Sequence, residues 1–497
     1  MAGIKTMELD PDRDNNAYRT FIQDSVGRNK NLWQFACFCS AQEGRCSISL
    51  DGGWGTGKTF FLKQLKLLFN CLDLKNEEQE EIAKTIVALQ DSSVVANKIK
   101  PHICVYYDAW KNDNSDDPLC SILYTLIKDT KNRLLYFIPN DTVQGNTLIQ
   151  KLSYLLNRFQ LFLLFCPYMK ILLCLFERIK RFHILYVAKI ARGISEVNPV
   201  REIEQQQRFH DGLSRYLKSL VLQKDERMII LIDELDRCNP TYAVRLLERI
   251  KHYLLMDKIT FVFAINEEQL QYTIKSFYGE EFDAYLYLNR FFDVQFSFPA
   301  PDMSKFLKML HLDDKDDNNY LYKSTSETFI IVYSLSIRES IKYYQIVDFV
   351  CKSFQNDEKK SKDFSWKMVM YIIVPIAIGL RFLDGNKFLN FLKGQLHDPL
   401  LNVVLSSDIL ATYLTFPNLK RDKWENKIME ADVTSKDAGR LQTIYAVLLT
   451  KKLNNVDQKN LFPFTFTKEM LNAIYSASNM MADFIKFDTN TEETAHG

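Results

Sequence analysis

The chain has 497 residues, of which 47% are hydrophobic and 25% charged, and its formal net charge is +1. That length allows two or three domains, and the composition is that of an ordinary globular protein rather than a disordered or fibrous one. Near-neutral charge excludes a global field that attracts nucleic acid or anionic membrane, so any such contact has to be local.

Residues 1–45 read as helical, with Asn31-Leu32-Trp33-Gln34-Phe35-Ala36 leading into the core. Cys46 to Leu50 is a short strand candidate, and Phe60 to Phe69 has helical apolar spacing. Between them Gly52-Gly53-Trp54-Gly55-Thr56-Gly57-Lys58-Thr59 fits the phosphate-loop pattern G-x-x-x-x-G-K-[ST]. Strand, glycine loop and helix is the context this motif needs. Glycines let the backbone curl so that successive N–H groups face phosphate, and the helix N-terminus adds a field that favours anions. Lys58 is expected to reach the β- and γ-phosphates of ATP, and the Thr59 hydroxyl to ligate Mg2+. Phe60 completes the expected nucleotide-binding set.

Further along, Phe159 to Phe176 reads FQLFLLFCPYMKILLCLF, close to the length of a membrane span but interrupted by Pro167 and Lys170. A clean span wants about 20 apolar residues, and Lys at the bilayer centre costs roughly 2.5–3.5 kcal/mol. A span, a peripheral or hairpin attachment and soluble packing all remain open, with soluble packing favoured. Arg178, Lys180, Arg181, Lys189 and Arg192 lie beside it, and peripheral contact with anionic lipid through 159–192 is one reading. Nucleic acid is another, unsupported by net charge. A solvated helix face is the plainer one. Glu202 to Leu222 spaces Ile203, Phe209, Leu213, Leu217 and Leu220 for one helical face.

Met228 to Ile232 is uncharged and rich in β-branched residues, as a strand buried on both faces should be. Asp233 follows at its carboxyl end, where parallel sheets place ligands. Asp233 is expected to hold Mg2+ and Glu234 to polarise the attacking water, while Asp236 and Arg237 shape the site or form an ion pair. Pro240 to Ile250 reads as an amphipathic helix, and Ile259 to Ile265 as another apolar strand ending at Asn266. A polar residue there can sense the γ-phosphate, or simply cap the next helix. Asp313 to Asn319 lacks the glycine and distal Glu of a calcium loop and reads as acidic surface. Met368 to Leu380 is strongly apolar but too short to span a membrane, and is expected in the core of a helical C-terminal domain.

Gly and Pro are sparse, at 16 and 13, which suits a helix-rich chain. The ten cysteines have no C-x-x-C spacing; Cys104, Cys166 and Cys174 sit in apolar runs and read as buried thiols, favouring a reducing cytoplasm. The histidines show no metal spacing. Met1 to Asn16 is polar and acidic, without a visible signal peptide.

Taken in order, five segments resemble the KAP family of P-loop NTPases, in its additional-strand branch. They are the loop 52–59, Tyr106-Tyr107-Asp108-Ala109-Trp110, Ile232-Asp233-Glu234-Leu235-Asp236-Arg237-Cys238, Phe263-Ala264-Ile265-Asn266, and Tyr287-Leu288-Asn289-Arg290-Phe291-Phe292 leading to Phe298-Pro299. The resemblance covers roughly 15–350, with two departures: many relatives carry Asp at the position of Glu234, and often an acid at that of Asn266. It implies an α/β P-loop core with a parallel sheet, split as 1–125 with N-terminal helices and 224–300. A helical insertion takes 126–223 and a helical C-terminal domain 301–497. It further implies ATP hydrolysis coupled to conformational change, by a motor, switch or sensor with protein partners from its own system. Relatives are linked to membrane-associated signalling and, in bacteria, to phage exclusion, so antiviral defence is an expectation. Arg290 lies where relatives carry a basic residue and is the candidate finger in trans, which would make the protein a homo-oligomer. Arg338, in Ser336-Ile337-Arg338-Glu339, resembles a sensor arginine at the start of a lid helix. Two alternatives stay open: an initiator-like loader of the AAA+ class acting on DNA, and a nucleotide-gated scaffold with little turnover.

Overall fold

A computed structural model describes residues 11, 16–70, 76–91, 102–115, 117–136, 211–214, 217, 226–310, 320–355, 359–415, 435–449 and 464–478. The segment 159–176, the basic residues from Arg178 to Arg192, Asp313 to Asn319, and Cys166 and Cys174 all lie outside them. The described residues divide into two units. One takes those up to 24 together with 28–300, and the other takes 25–27 with those from 301 on.

The first unit is built on a five-stranded sheet: β1 (Cys46–Asp51), β2 (Ile103–Asp108), β3 (Met228–Asp233), β4 (Ile259–Ile265) and β5 (Val294–Ser297). Their spatial order is β2-β3-β4-β1-β5, with every pairing parallel. Strand β4 therefore lies between the strand that feeds the glycine loop and the strand that ends in acids. The sequence explains the order: β3 and β4 are continuous apolar runs and are buried throughout, as central parallel strands must be. Strand β5 alternates between half-buried and exposed positions and forms an edge.

Helices cover both faces. On one face α1 (Asn16–Ile22), α2 (Asn29–Ala41) and α3 (Lys58–Phe69) pack Phe21, Leu32, Phe35, Leu62 and Leu65 against Ile48, Leu50, Leu231 and Val262, and α4 (Asn76–Asp91) adds Ile82. On the other face α5 (Pro118–Tyr136), α6 (Pro240–Arg249), α7 (Glu267–Tyr278) and α8 (Ala284–Asn289) cover Val105, Ile230, Ile232 and Phe263. Leu213 and Leu217, from the expected amphipathic segment, are buried in that same core. Helix α6 starts where its sequence directs, since the Asn239 side chain accepts from the Thr241 N–H at 3.0 Å and Pro240 takes the first turn.

The second unit is helical in its described residues. It contains α9 (Met303–Met309), α10 (Tyr320–Val332), α11 (Ile337–Gln355) and the continuous α12 (Phe364–Leu383). Here the structure corrects one expectation. The apolar run 368–380 was too short to span a membrane, but the helix containing it has 20 residues and is, by length and composition, long and apolar enough. Two features extend it. Asp363 caps its start by accepting from the Trp366 N–H at 2.9 Å, and a wide turn at Val369–Ile373 carries the helix through Pro375. Pro375 has no N–H for the Tyr371 carbonyl, and the Thr325 hydroxyl donates to that carbonyl instead, at 2.8 Å. The most apolar stretch of α12 is 78% buried inside the structure, so it serves as a core helix here.

Candidate active site

The glycine loop, the acids after β3 and Asn266 after β4 gather at the carboxyl edge of the sheet. The glycine loop leaves β1 with the Gly52 N–H donating to the Ile265 carbonyl at 3.0 Å. Gly55 and Gly57 take left-handed backbone angles, φ 76° and 96°, which curl the chain into the start of α3. Gly52 is required for another reason: a Cβ there would lie 2.7 Å from the Phe298 Cβ. The Thr56 hydroxyl closes the turn on the Gly53 carbonyl at 2.8 Å. Lys58 is buried, and its ammonium donates to the carbonyls of Gly52 and, at 3.1 Å, Gly53. Burial pushes its pKa down, against the opposing pull of Asp236, Asp233, Glu234 and Asp51.

Asp233 is the last residue of β3 and is only 1% exposed. Its Oδ2 accepts from the Tyr106 hydroxyl at 2.8 Å, its Oδ1 from the Glu234 N–H at 3.0 Å, and the Thr59 hydroxyl bonds to the same carboxylate. Burial holds this carboxyl above the usual range, partly offset by those three hydrogen bonds. The two residues expected to ligate magnesium, Thr59 and Asp233, are thus brought into contact. The donor set, one hydroxyl and one carboxylate beside a lysine-tipped phosphate loop, fits that hard cation. Glu234 follows with a left-handed backbone, φ 59°, and its Oε2 meets the Arg237 Nε at 2.6 Å. Burial and Asp233 raise its pKa, while Arg237 lowers it. Asp236 accepts from the Trp54 indole N–H at 2.6 Å.

A family model described as the KAP family P-loop domain matches residues 30–362, more than half of the chain. The chain belongs to the KAP family. A comparison with curated proteins gives no match. Membership in this family implies nucleotide binding and hydrolysis, and P-loop NTPases generally bind their nucleotide with Mg2+.

The KAP core places the remaining expected residues less simply. Asn266 stands at the end of β4, where its Oδ1 accepts from the Gln269 N–H at 3.3 Å and caps α7. A sensor role would fall to its Nδ2. Arg290 is exposed after α8. The Phe291–Asp293 segment bonds to Ser47, through the Asp293 N–H to the Ser47 carbonyl at 2.8 Å and the Ser47 hydroxyl to the Phe291 carbonyl at 2.6 Å. That is the amino edge of the sheet. Five rises of about 3.3 Å, from Ser47 along β1 to Gly52, separate it from the phosphate loop by roughly 17 Å. Arg290 therefore does not serve the loop of its own chain. Arg338 lies in the second unit, in the first turn of α11, which opens with a Ser336/Glu339 capping box. Phe60 is half-buried in the first turn of α3.

Three further residues at this edge make contacts that the sequence did not show. Arg28, 4% exposed, donates from Nη1 to the Thr56 carbonyl at 2.7 Å and stacks over Phe298 at 4.3 Å. Its Nε and Nη2 have no hydrogen-bond partner, and burial pushes its pKa down to about 10. Tyr106 bonds to Asp233, and the signal for it was the parallel register: Asp108 pairs with Asp233, so Tyr106 lies two residues back on the same face. Asp108 itself is a further acid at this edge, paired with Lys111 at 3.3 Å.

Proposed function

We propose that this KAP domain binds ATP with Mg2+ and hydrolyses it, and that it works as a motor, switch or sensor within a multi-component system. The observation that carries this reading is the contact between Thr59 and Asp233 at the foot of the glycine loop, with Lys58 and Glu234 as their immediate neighbours in sequence. Loop N–H groups and Lys58 bind and orient the phosphates. Thr59 and Asp233 hold Mg2+, which, when bound, offsets phosphate charge. Glu234 orients a water towards the γ-phosphorus and takes its proton as the bond to the β-phosphate oxygen breaks. A carboxyl raised above its usual range by burial is a better base for that step. Asn266 senses the γ-phosphate through its amide nitrogen.

Arg290 acts in this reading on the site of a second copy, since the amino edge of the sheet keeps it from its own loop. Arg338 is the candidate sensor arginine in this reading. The test is turnover and ATP affinity of the purified protein with Lys58→Ala and Glu234→Gln: the first loses affinity, the second keeps affinity and loses turnover. A Glu234→Gln form with the function of the parent supports the scaffold reading instead. The family's link to phage exclusion makes antiviral defence the first setting to test. Protection of host cells that disappears with Lys58→Ala supports it, and undiminished protection refutes it.

A further inference from the structure

The glycine loop is tied to Glu234 by a chain of contacts that nucleotide binding alone does not need. Trp54 sits inside the loop and is 49% exposed; Trp110, just after β2, is 51% exposed. The Arg237 guanidinium is near both indoles, 5.7 Å from the Trp54 ring and 5.6 Å from the Trp110 ring. Its Nε bonds the Glu234 carboxylate at 2.6 Å. The Trp54 N–H reaches the same short turn at Asp236 Oδ2, 2.6 Å away. Leu235 and Asp236 are buried and fix the turn Leu235–Arg237 in place. Glu234, ahead of it, is held at φ 59°, a backbone that few non-glycine residues adopt.

Two large indoles left half in water are costly as mere packing. As walls for a guanidinium they have a use, since the face of an indole attracts a cation held over it. A planar guanidinium can stack on an indole and still direct an N–H at a carboxylate, which a lysine cannot do in the same way. Trp54 touches two of the three residues of the turn, Asp236 by hydrogen bond and Arg237 by its ring. A shift of the loop backbone at Trp54 therefore moves the group that orients Glu234.

We propose that Arg237 is the positioning residue for Glu234, and that Trp54 transmits phosphate-loop occupancy to it through Asp236 and the Arg237 stack. The inference rests on the reading of the site as an ATP hydrolase. Its test combines turnover, affinity for a fluorescent ATP analogue and intrinsic tryptophan emission, for the parent, Arg237→Ala, Arg237→Lys and Trp54→Phe. Arg237→Ala lowers kcat roughly 10-fold with Kd within about 3-fold. Arg237→Lys, which keeps the charge but not the planar fork, recovers part of that loss. Trp54→Phe keeps a ring and loses the N–H to Asp236, and lowers kcat roughly 3-fold or more. ATP changes the tryptophan emission of the parent, and the change shrinks in Arg237→Ala.

Parental kcat in Arg237→Ala and Trp54→Phe overturns the proposal, as does a weaker Kd that accounts for the whole loss. If Arg237→Ala does not fold, Arg237→Lys and Trp54→Phe decide by the same criteria. A parent that neither binds nor hydrolyses ATP overturns the underlying reading instead.

Discussion

Tyr106→Phe separates metal binding from nucleotide binding. The substitution removes one oxygen and leaves the ring, over which the Lys63 ammonium sits at 4.4 Å, so packing is retained. The lost contact is the 2.8 Å hydrogen bond to Asp233 Oδ2. Burial beside Asp233 pushes the Tyr106 phenol far above its usual pKa, so it stays protonated and donates at any working pH. A hydrogen bond to a charged group contributes about 1.5–3 kcal/mol. The groups that orient a metal-binding side chain typically change metal affinity by about 10–100-fold. Asp233 would keep its bonds from Thr59 and the Glu234 N–H, which places the expected loss at the lower end, about 10-fold. The assay is a magnesium titration of ATP turnover, with nucleotide affinity measured separately in chelator. The half-saturating Mg2+ concentration should rise about 10-fold while metal-free affinity stays within about 2-fold. An unchanged magnesium titration would refute the assignment of Asp233 as the metal-holding acid that Tyr106 orients.

Other expectations follow from the same geometry. Gly52→Ala should destabilise the first unit by about 1–3 kcal/mol, because its Cβ would overlap Phe298; chemical denaturation measures it, and parental stability contradicts the packing argument. Arg28→Met removes a buried cation with two unpartnered nitrogens, so the melting temperature should hold or rise while ATP affinity falls about 3–10-fold through the freed Thr56 carbonyl. The folded-state pKa of Glu234 is raised, so its ionisable form contributes stability below the unfolded carboxylate range and loses it as pH rises through the folded value. Glu234→Gln should therefore melt close to the parent in acid and above it at neutral pH, and melting curves across that range show whether it does. Mixing Lys58→Ala with Arg290→Ala subunits should restore part of the activity if Arg290 acts on a neighbouring copy, and no restoration argues against it.

Much of the first unit was legible because its signals are local. Glycines, a terminal lysine and flanking apolar runs define the loop, and β3 and β4 announce themselves as unbroken hydrophobic strands. What the sequence could not show was reach. Arg28 lies 28 residues before the carbonyl it holds, and Trp54 meets Asp236 across 182 residues; neither pairing follows from spacing. Asp236 and Arg237 were read as shaping the site or forming an ion pair; in the structure Arg237 pairs with Glu234 and Asp236 accepts from Trp54. The apolar run 368–380 is shorter than the helix that contains it, because α12 begins at Phe364 and continues to Leu383, with Thr325 satisfying the carbonyl that Pro375 leaves unpaired.

The central claim is that Lys58, Thr59, Asp233 and Glu234 form one hydrolytic site. A single-turnover experiment with ATP and Mg2+, on the parent and on Glu234→Gln, tests it most directly. The account predicts that both bind ATP with similar affinity, that the parent releases phosphate, and that Glu234→Gln retains intact ATP. Phosphate release by Glu234→Gln at the parental rate would contradict it.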